Sequence, residues 1–180
     1  MHIIVDGYNL IRQSDTLRGC ERISLEAGRQ ALLRSLAGYR QLRGHRITVV
    51  FDGWMGGSPL EERDRAGGLD IVYSRLGERA DEVIKRLLQT GSEEIMVVTS
   101  DREIANFAAR RGKTSIASSA FASLLDGMAA GPASHGMPER EAPEKEVEDD
   151  EDRRAAAKKK GPSRRLSRQK RVALARIKKL

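Results

Sequence analysis

Three aspartates stand just past apolar, β-branched runs: Asp6 after Ile3-Ile4-Val5, Asp52 after Ile47-Thr48-Val49-Val50-Phe51, and Asp101 after Ile95-Met96-Val97-Val98-Thr99-Ser100. Carboxylates are hard oxygen ligands. A group of them leaves coordination positions open for water and for a phosphate oxygen, which is what magnesium-assisted phosphodiester hydrolysis needs. Asp81, in the first turn of a helix expected from Ala80, is a further candidate. A lone aspartate at a strand end or helix start is ordinarily a turn or cap residue. Acids that converge from several strand ends repel one another, and a fold tolerates this when a cation or a shared proton relieves it.

For these acids to meet, the runs that carry them must be neighbouring strands of one sheet. Continuous apolar runs separated by helical patterns specify an α/β fold with a mostly parallel central sheet covered on both faces. In such sheets the ligand site lies beyond the carboxyl ends of the strands. The connecting segments fit this scheme. From Ser24 an apolar stripe of Leu25, Leu32, Leu36 and Tyr39, widened by Leu33, predicts a helix that Gly44 ends. Residues 12–23 are too polar and irregular to assign, with Asp15 and Ser24 as cap candidates. Residues 52–68, with five glycines and one proline, read as a long loop holding a short helical turn. A brief strand is expected over Leu69–Tyr73, then an amphipathic helix through Ala80, Val83, Ile84, Leu87 and Leu88. Ser100-Asp101-Arg102-Glu103 reads as a capping box, Ser100 being the N-cap of a helix through Ile104, Phe107 and Ala108. Lys113–Ala117 supplies a last strand, and Ser119–Met128 a closing helix with Phe121, Leu124 and Leu125 inward.

The composition excludes several classes. Of 180 residues 39% are apolar, enough for one core domain and an appendage. No apolar run approaches the roughly 20 residues of a membrane helix, and the chain opens into a strand, so a cytoplasmic protein without membrane contact is expected. Cys20 is the only cysteine, and His2, His45 and His135 lack metal-ligand spacing. The net charge of +7 is unevenly spread: residues 1–138 carry 18 basic and 17 acidic side chains, 139–152 carry 2 and 9, and 153–180 carry 13 and none. The expected organisation is therefore a domain over 1–128, a disordered acidic linker over 129–152 and a basic tail over 153–180. Leu166, Ala173, Ile177 and Leu180 line one side of a helical pattern in that tail. Arg164, Arg165, Arg168, Lys170 and Arg171 within it are candidate RNA contacts.

The segments IIVDGYNLI at 3–11, VVFDGW at 49–54, ERADEVI at 78–84 and VVTSDREIANFAARRG at 97–112 together resemble the YacP-like NYN-domain proteins of the PIN-like ribonuclease superfamily. The resemblance covers roughly residues 1–128. It implies a PIN-like three-layer sandwich and a metal-dependent endoribonuclease using Mg2+ or Mn2+. By position in the motifs it makes Asp6, Asp81 and Asp101 metal ligands, Asp52 a further member of the acidic cluster, and Asn9 the turn asparagine. Asn9 then either orients a ligand or water or stabilises its own turn. Where many relatives carry another acid this chain has Lys85, and Glu82 is the nearby substitute.

Trp54 in the glycine-rich loop is either a stacking platform for an unpaired base or a loop anchor. Arg75, Arg79, Arg102, Arg110 and Arg111 are phosphate-contact candidates, led by Arg79 and Arg102 as neighbours of proposed ligands. The partners these features imply are RNA and the ribosome. The rival function is a non-catalytic RNA-binding or ribosome-associated factor on the same scaffold, which Lys85 and the basic tail keep open. A phosphatase lacks support, because no Asp-x-Asp nucleophile motif follows the first strand and no phosphate loop appears.

Overall fold

A computed structural model describes residues 1–53, 59–90 and 94–129, with the side chain of residue 129 left aside. Trp54, residues 130–152 of the expected linker and the basic tail with its five candidate contacts lie outside the described residues, while residue 129 ends the last described helix. The chain runs β1 (His2–Asp6), α1 (Gly7–Gln13), α2 (Asp15–Glu21), α3 (Leu25–Arg43), β2 (Arg46–Phe51), β3 (Glu62–Ala66), β4 (Leu69–Tyr73), α4 (Ala80–Thr90), β5 (Ile95–Val98), α5 (Arg102–Arg110), β6 (Thr114–Ile116) and α6 (Ser118–Ala129).

The strands form one sheet in the order β3-β4-β2-β1-β5-β6. All neighbours are parallel except β3 against β4. β1 lies inside the sheet between β2 and β5, which explains why all five of its residues are buried and why its sequence does not alternate. Its side chains divide between two cores. Ile3 and Val5 join Ile47, Val49, Phe51 and Met96 against α1, α2, α3 and α6. Ile4 joins Val50, Val72 and Val97 against Ala80, Val83 and Ile84 of α4 and Ile104 and Ala108 of α5. The result is the expected three-layer α/β sandwich. Among the described residues no helix is long and apolar enough to cross a membrane.

The structure corrects the sequence reading in four places. Most of the unassigned segment 12–23 is helical, in the end of α1 and all of α2: Ser14 caps α2, its Oγ accepting from Leu17 N–H at 3.3 Å, and Asp6 caps α1. In α3 the buried stripe is Ala31, Leu32, Leu36 and Tyr39, while Leu25 is 55% exposed at the first turn. Part of the loop read over 52–68 is strand β3, exposed along its whole length and paired antiparallel with β4. Gly67 and Gly68 supply its two-residue turn at φ of 58° and 78°, a conformation that glycine adopts without strain. Charged side chains along Glu62-Arg63-Asp64-Arg65 suit an edge strand that must not recruit another chain. Finally, the N-cap of α5 is Asp101 rather than Ser100. Asp101 Oδ1 accepts from Glu103 N–H at 2.6 Å and Ile104 N–H at 3.3 Å, whereas Ser100 Oγ accepts from Ser118 N–H at 3.2 Å. An ionised acceptor one residue nearer the helix outcompetes the hydroxyl for these donors.

Two glycines give opposite expectations. A Cβ on Gly53 would stand 1.7 Å from the Ser74 carbonyl oxygen, so Gly53→Ala must displace backbone and cost about 1–3 kcal/mol. Gly38 lies inside α3 with nothing within 4 Å of an added Cβ, so Gly38→Ala should gain up to about 1 kcal/mol. Urea unfolding of both variants checks the two signs.

Candidate active site

The chain passes from β1 through α1–α3 to β2 on one side of it and returns from β4 through α4 to β5 on the other, so the strand order reverses at β1 and a crevice opens at the carboxyl ends of these strands. Asp6 ends β1, while Asp52 and Asp101 lie just beyond β2 and β5. Each of the three holds a helix start. Asp6 Oδ1 accepts from Asn9 N–H at 3.2 Å in α1, and Asp101 caps α5 as described. Asp52 reaches across to another connection, its Oδ1 accepting from Ala80 N–H at 2.5 Å and so capping α4 from outside that helix's own sequence. Asp81 then lies in the first turn of α4. Helix N-termini carry partial positive charge, and three of them are aimed at this acidic crevice.

A polar network fixes the loops relative to one another. Thr99 Oγ1 donates to Asp6 Oδ2 at 3.3 Å and accepts from Asp101 N–H at 3.1 Å, linking two of the acids through one hydroxyl. Asn9 Oδ1 accepts from Ser100 N–H at 3.1 Å, which ties α1 to the β5–α5 turn. On the other side Gly53 N–H donates to Ser74 Oγ at 3.0 Å, and the same hydroxyl donates to the Glu78 carbonyl at 2.6 Å. Asp52 is thereby held against the β4–α4 turn.

Two of the four acids, Asp6 and Asp81, feel the charge of the others. Burial, above all, pushes the Asp6 carboxyl up from 3.8 to about 6, and the charges of Asp81 and then Asp52 add to the rise, against the Asn9 and Thr99 hydrogen bonds. Asp81 is also raised, first by burial, then by Asp101 and Asp52, while Arg79 and Lys85 oppose. Arg79 pairs with Asp81 at 3.4 Å, and Lys85 pairs with Glu103. As the side chains are placed, no three His, Cys, Asp or Glu among the described residues stand close enough to hold one ion. The donor chemistry nevertheless suits a hard divalent cation: oxygen ligands only, mutually repelling, and held from behind by helix N-termini. Asp6, Asp81 and Asp101, the ligands implied by the motifs, line the crevice without forming such a group.

Other candidates fall in different places. Glu82 is exposed on α4. Arg102 is exposed beside Asp101, Arg75 pairs with Glu78 at 3.4 Å, and Arg111 lies over the Phe107 ring at 3.8 Å. Arg79 lines an open groove of about 490 Å³ together with Asp52, Tyr8, Arg12 and Leu25. Thr99, Ser74, Tyr8, Arg12 and Leu25 were not singled out from sequence as site residues. The tyrosine next to Gly7 and the hydroxyl two residues before Asp101 were the available signals.

A family model for the YacP-like NYN domain matches residues 3–179, continuing across the acidic linker and the basic tail. The chain belongs to this family. NYN domains are PIN-like nuclease domains, which fits an acidic crevice at strand ends. This YacP-like chain is 32% identical over 102 residues to "Uncharacterized protein YacP" of Bacillus subtilis (strain 168). That alignment spans 55% of this chain and 59% of the relative. It is also similar in fold to the crystal structures of Rae1 (YacP) from Bacillus subtilis and of its tryptophan-to-leucine mutant. Both give a TM-score of 0.60 at 24% identity over 72% of this chain, covering 76% of the former and 77% of the mutant.

The raised Asp6 carboxyl carries a stability consequence. A folded-state value above the unfolded one means the folded protein binds the proton more tightly, so stability falls as pH rises through the window from 3.8 to about 6. The full penalty, at most about 3 kcal/mol, is present at neutral pH. Asp6→Asn keeps an acceptor for Asn9 N–H and removes the buried charge. It should stabilise the protein by about 1–3 kcal/mol at neutral pH and by much less below the window, read from urea unfolding across a pH series.

Proposed function

We propose that this protein is a metal-dependent endoribonuclease that cleaves RNA at the Asp6, Asp81 and Asp101 crevice with Mg2+ or Mn2+ as its cofactor. The observation that carries the reading is the convergence of four acids at the switch point of the sheet, where burial and the charges of Asp81 and Asp52 raise the proton affinity of Asp6, and burial and the charges of Asp101 and Asp52 raise that of Asp81. Stability alone does not favour such an arrangement. When bound, a divalent cation there would supply Lewis-acid activation of water and of the phosphodiester.

The chain's own residues do the rest. Asp101 and Asp6 each spend Oδ1 on a helix cap, which fixes the direction of the carboxylate. Asn9 and Thr99 lock the two loops that carry those acids, so their role is positioning. Asp52 sets where α4 begins and hence where Asp81 stands. Arg79, paired with Asp81 at 3.4 Å, is a cation beside the acids that suits a phosphate oxygen. The family's nuclease character supports the reaction class. The 13 cations of residues 153–180 support RNA, free or on a ribosome, as the partner, with the tail supplying salt-sensitive affinity.

Asparagine is as good an N-cap as aspartate, so Asp101→Asn and Asp6→Asn should leave α5 and α1 in place. Both should reduce RNA cleavage to the uncatalysed background while the variants remain folded. Because water is the attacking group, wild-type products should carry 5′-phosphate and 3′-hydroxyl ends, and chelator should abolish cleavage. A 2′,3′-cyclic phosphate, or cutting undiminished by chelator, would contradict the reading. Retained RNA affinity without any metal-dependent cutting would favour the rival, a binding factor.

A further inference from the structure

We infer that the groove lined by Asp52 takes one unpaired RNA nucleotide next to the cleaved bond, its base against Leu25 and Tyr8 and its phosphate at Arg12 and Arg79. This rests on the RNA-cleavage reading and adds to it the strand form that the site accepts.

The groove's volume of about 490 Å³ lies in the range of small-ligand sites. Its lining is mixed in the way a nucleotide requires. Leu25 is 55% exposed at the first turn of α3, where a leucine has no core to serve. Tyr8 is held rigid from behind: its ring meets Phe51 edge-on at 5.3 Å, Phe51 stacks on Tyr73 at 5.7 Å, and Arg29 Nη1 donates to the Tyr8 hydroxyl at 3.4 Å. A half-buried aromatic with a fixed plane is a stacking surface that loses little freedom on binding.

The charges are arranged for a phosphate. Arg12 and Arg79 are both exposed. Glu78 also lines the groove, but its carboxylate pairs with Arg86 at 2.6 Å and Arg75 at 3.4 Å, so its negative charge is offset. Asp52 belongs both to the groove's lining and to the acidic cluster, so the two adjoin there. Arg79 spans both regions, since its present partner is Asp81. A paired strand keeps its bases stacked inside the helix and cannot lay one against Leu25 and Tyr8, so the groove selects single-stranded RNA.

The test uses the full-length protein in chelator at physiological salt, where cleavage plays no part and the contribution of the tail is muted. The probe is a short fluorescent oligouridylate, alone or annealed to oligoadenylate, followed by anisotropy. Arg12→Glu should weaken single-strand binding about tenfold and Leu25→Asp about fivefold, and neither should change duplex binding appreciably. Arg34→Glu on the exposed face of α3, the same charge reversal away from the groove, should change binding less than twofold. Arg12 and Leu25 are exposed, so thermal midpoints should match wild type. Single-strand affinity within twofold of wild type in both groove variants, or equal losses for single strand and duplex, would overturn the assignment even if the protein cuts RNA. The expected losses in a protein that proves unable to cut RNA would support the groove and leave only the nuclease reading refuted.

Discussion

The site depends on strand-tip carboxylates bonded to helix N-termini. Asp6, Asp52 and Asp101 each accept a backbone N–H from a helix start, and Asp52 does so for a helix that begins 28 residues later. Each contact satisfies a donor that the helix cannot satisfy internally and places a negative charge where the helix dipole favours it. The same contacts gather like charges around one crevice. Burial and mutual repulsion then raise Asp6 to about 6 and raise Asp81 as well. The architecture therefore holds together acids that would otherwise separate, and the three-layer core pays for it. Neutralising a member should relieve the protein and disable the site, which separates a functional cluster from a structural one.

Topology explains why these positions and no others carry the acids. With β1 central and β2 and β5 flanking it, the segments leaving the three strands emerge side by side. Thr99 then bridges Asp6 and Asp101, and Asn9 clasps the turn after β5. On the other flank Ser74 clamps Gly53 and the Glu78 carbonyl, leaving an open groove between α1, the start of α3 and the β4–α4 turn. In the proposed function, acid chemistry and strand recognition would occupy adjoining parts of this surface. Arg79 stands where they join.

The sequence was most readable where burial dictated the pattern. Strands such as Ile3-Ile4-Val5 and Ile47–Phe51 are covered on both faces, so their apolar runs named them, and the acids after them followed. Asp81 was placed correctly in its helical turn because Val83, Ile84 and Leu88 keep strict periodicity. Reading failed where a local preference was decided by partners distant in sequence. Strand β3 has no buried residue, and only its pairing with β4 and the Gly67-Gly68 turn define it. Leu25 continued the stripe of α3 on paper, yet the helix start projects past the core. Asp52 as a cap for Ala80, and Thr99 as a bridge, depend on contacts across the sheet that no spacing rule encodes.

The central claim is that a divalent cation relieves the repulsion among these acids, and the thermal midpoint of the full-length protein measures it most directly. Titration with Mn2+ or Mg2+ at neutral pH should raise the midpoint. At a concentration about a hundred times the dissociation constant the gain is about 3 kcal/mol, or roughly 5–10 °C for a chain of this size. The rise should shrink as the pH falls through the window in which Asp6 takes up its proton, and should be largely lost in Asp81→Asn. A midpoint unmoved by either cation at neutral pH, or a rise that survives Asp81→Asn in full, would contradict the account.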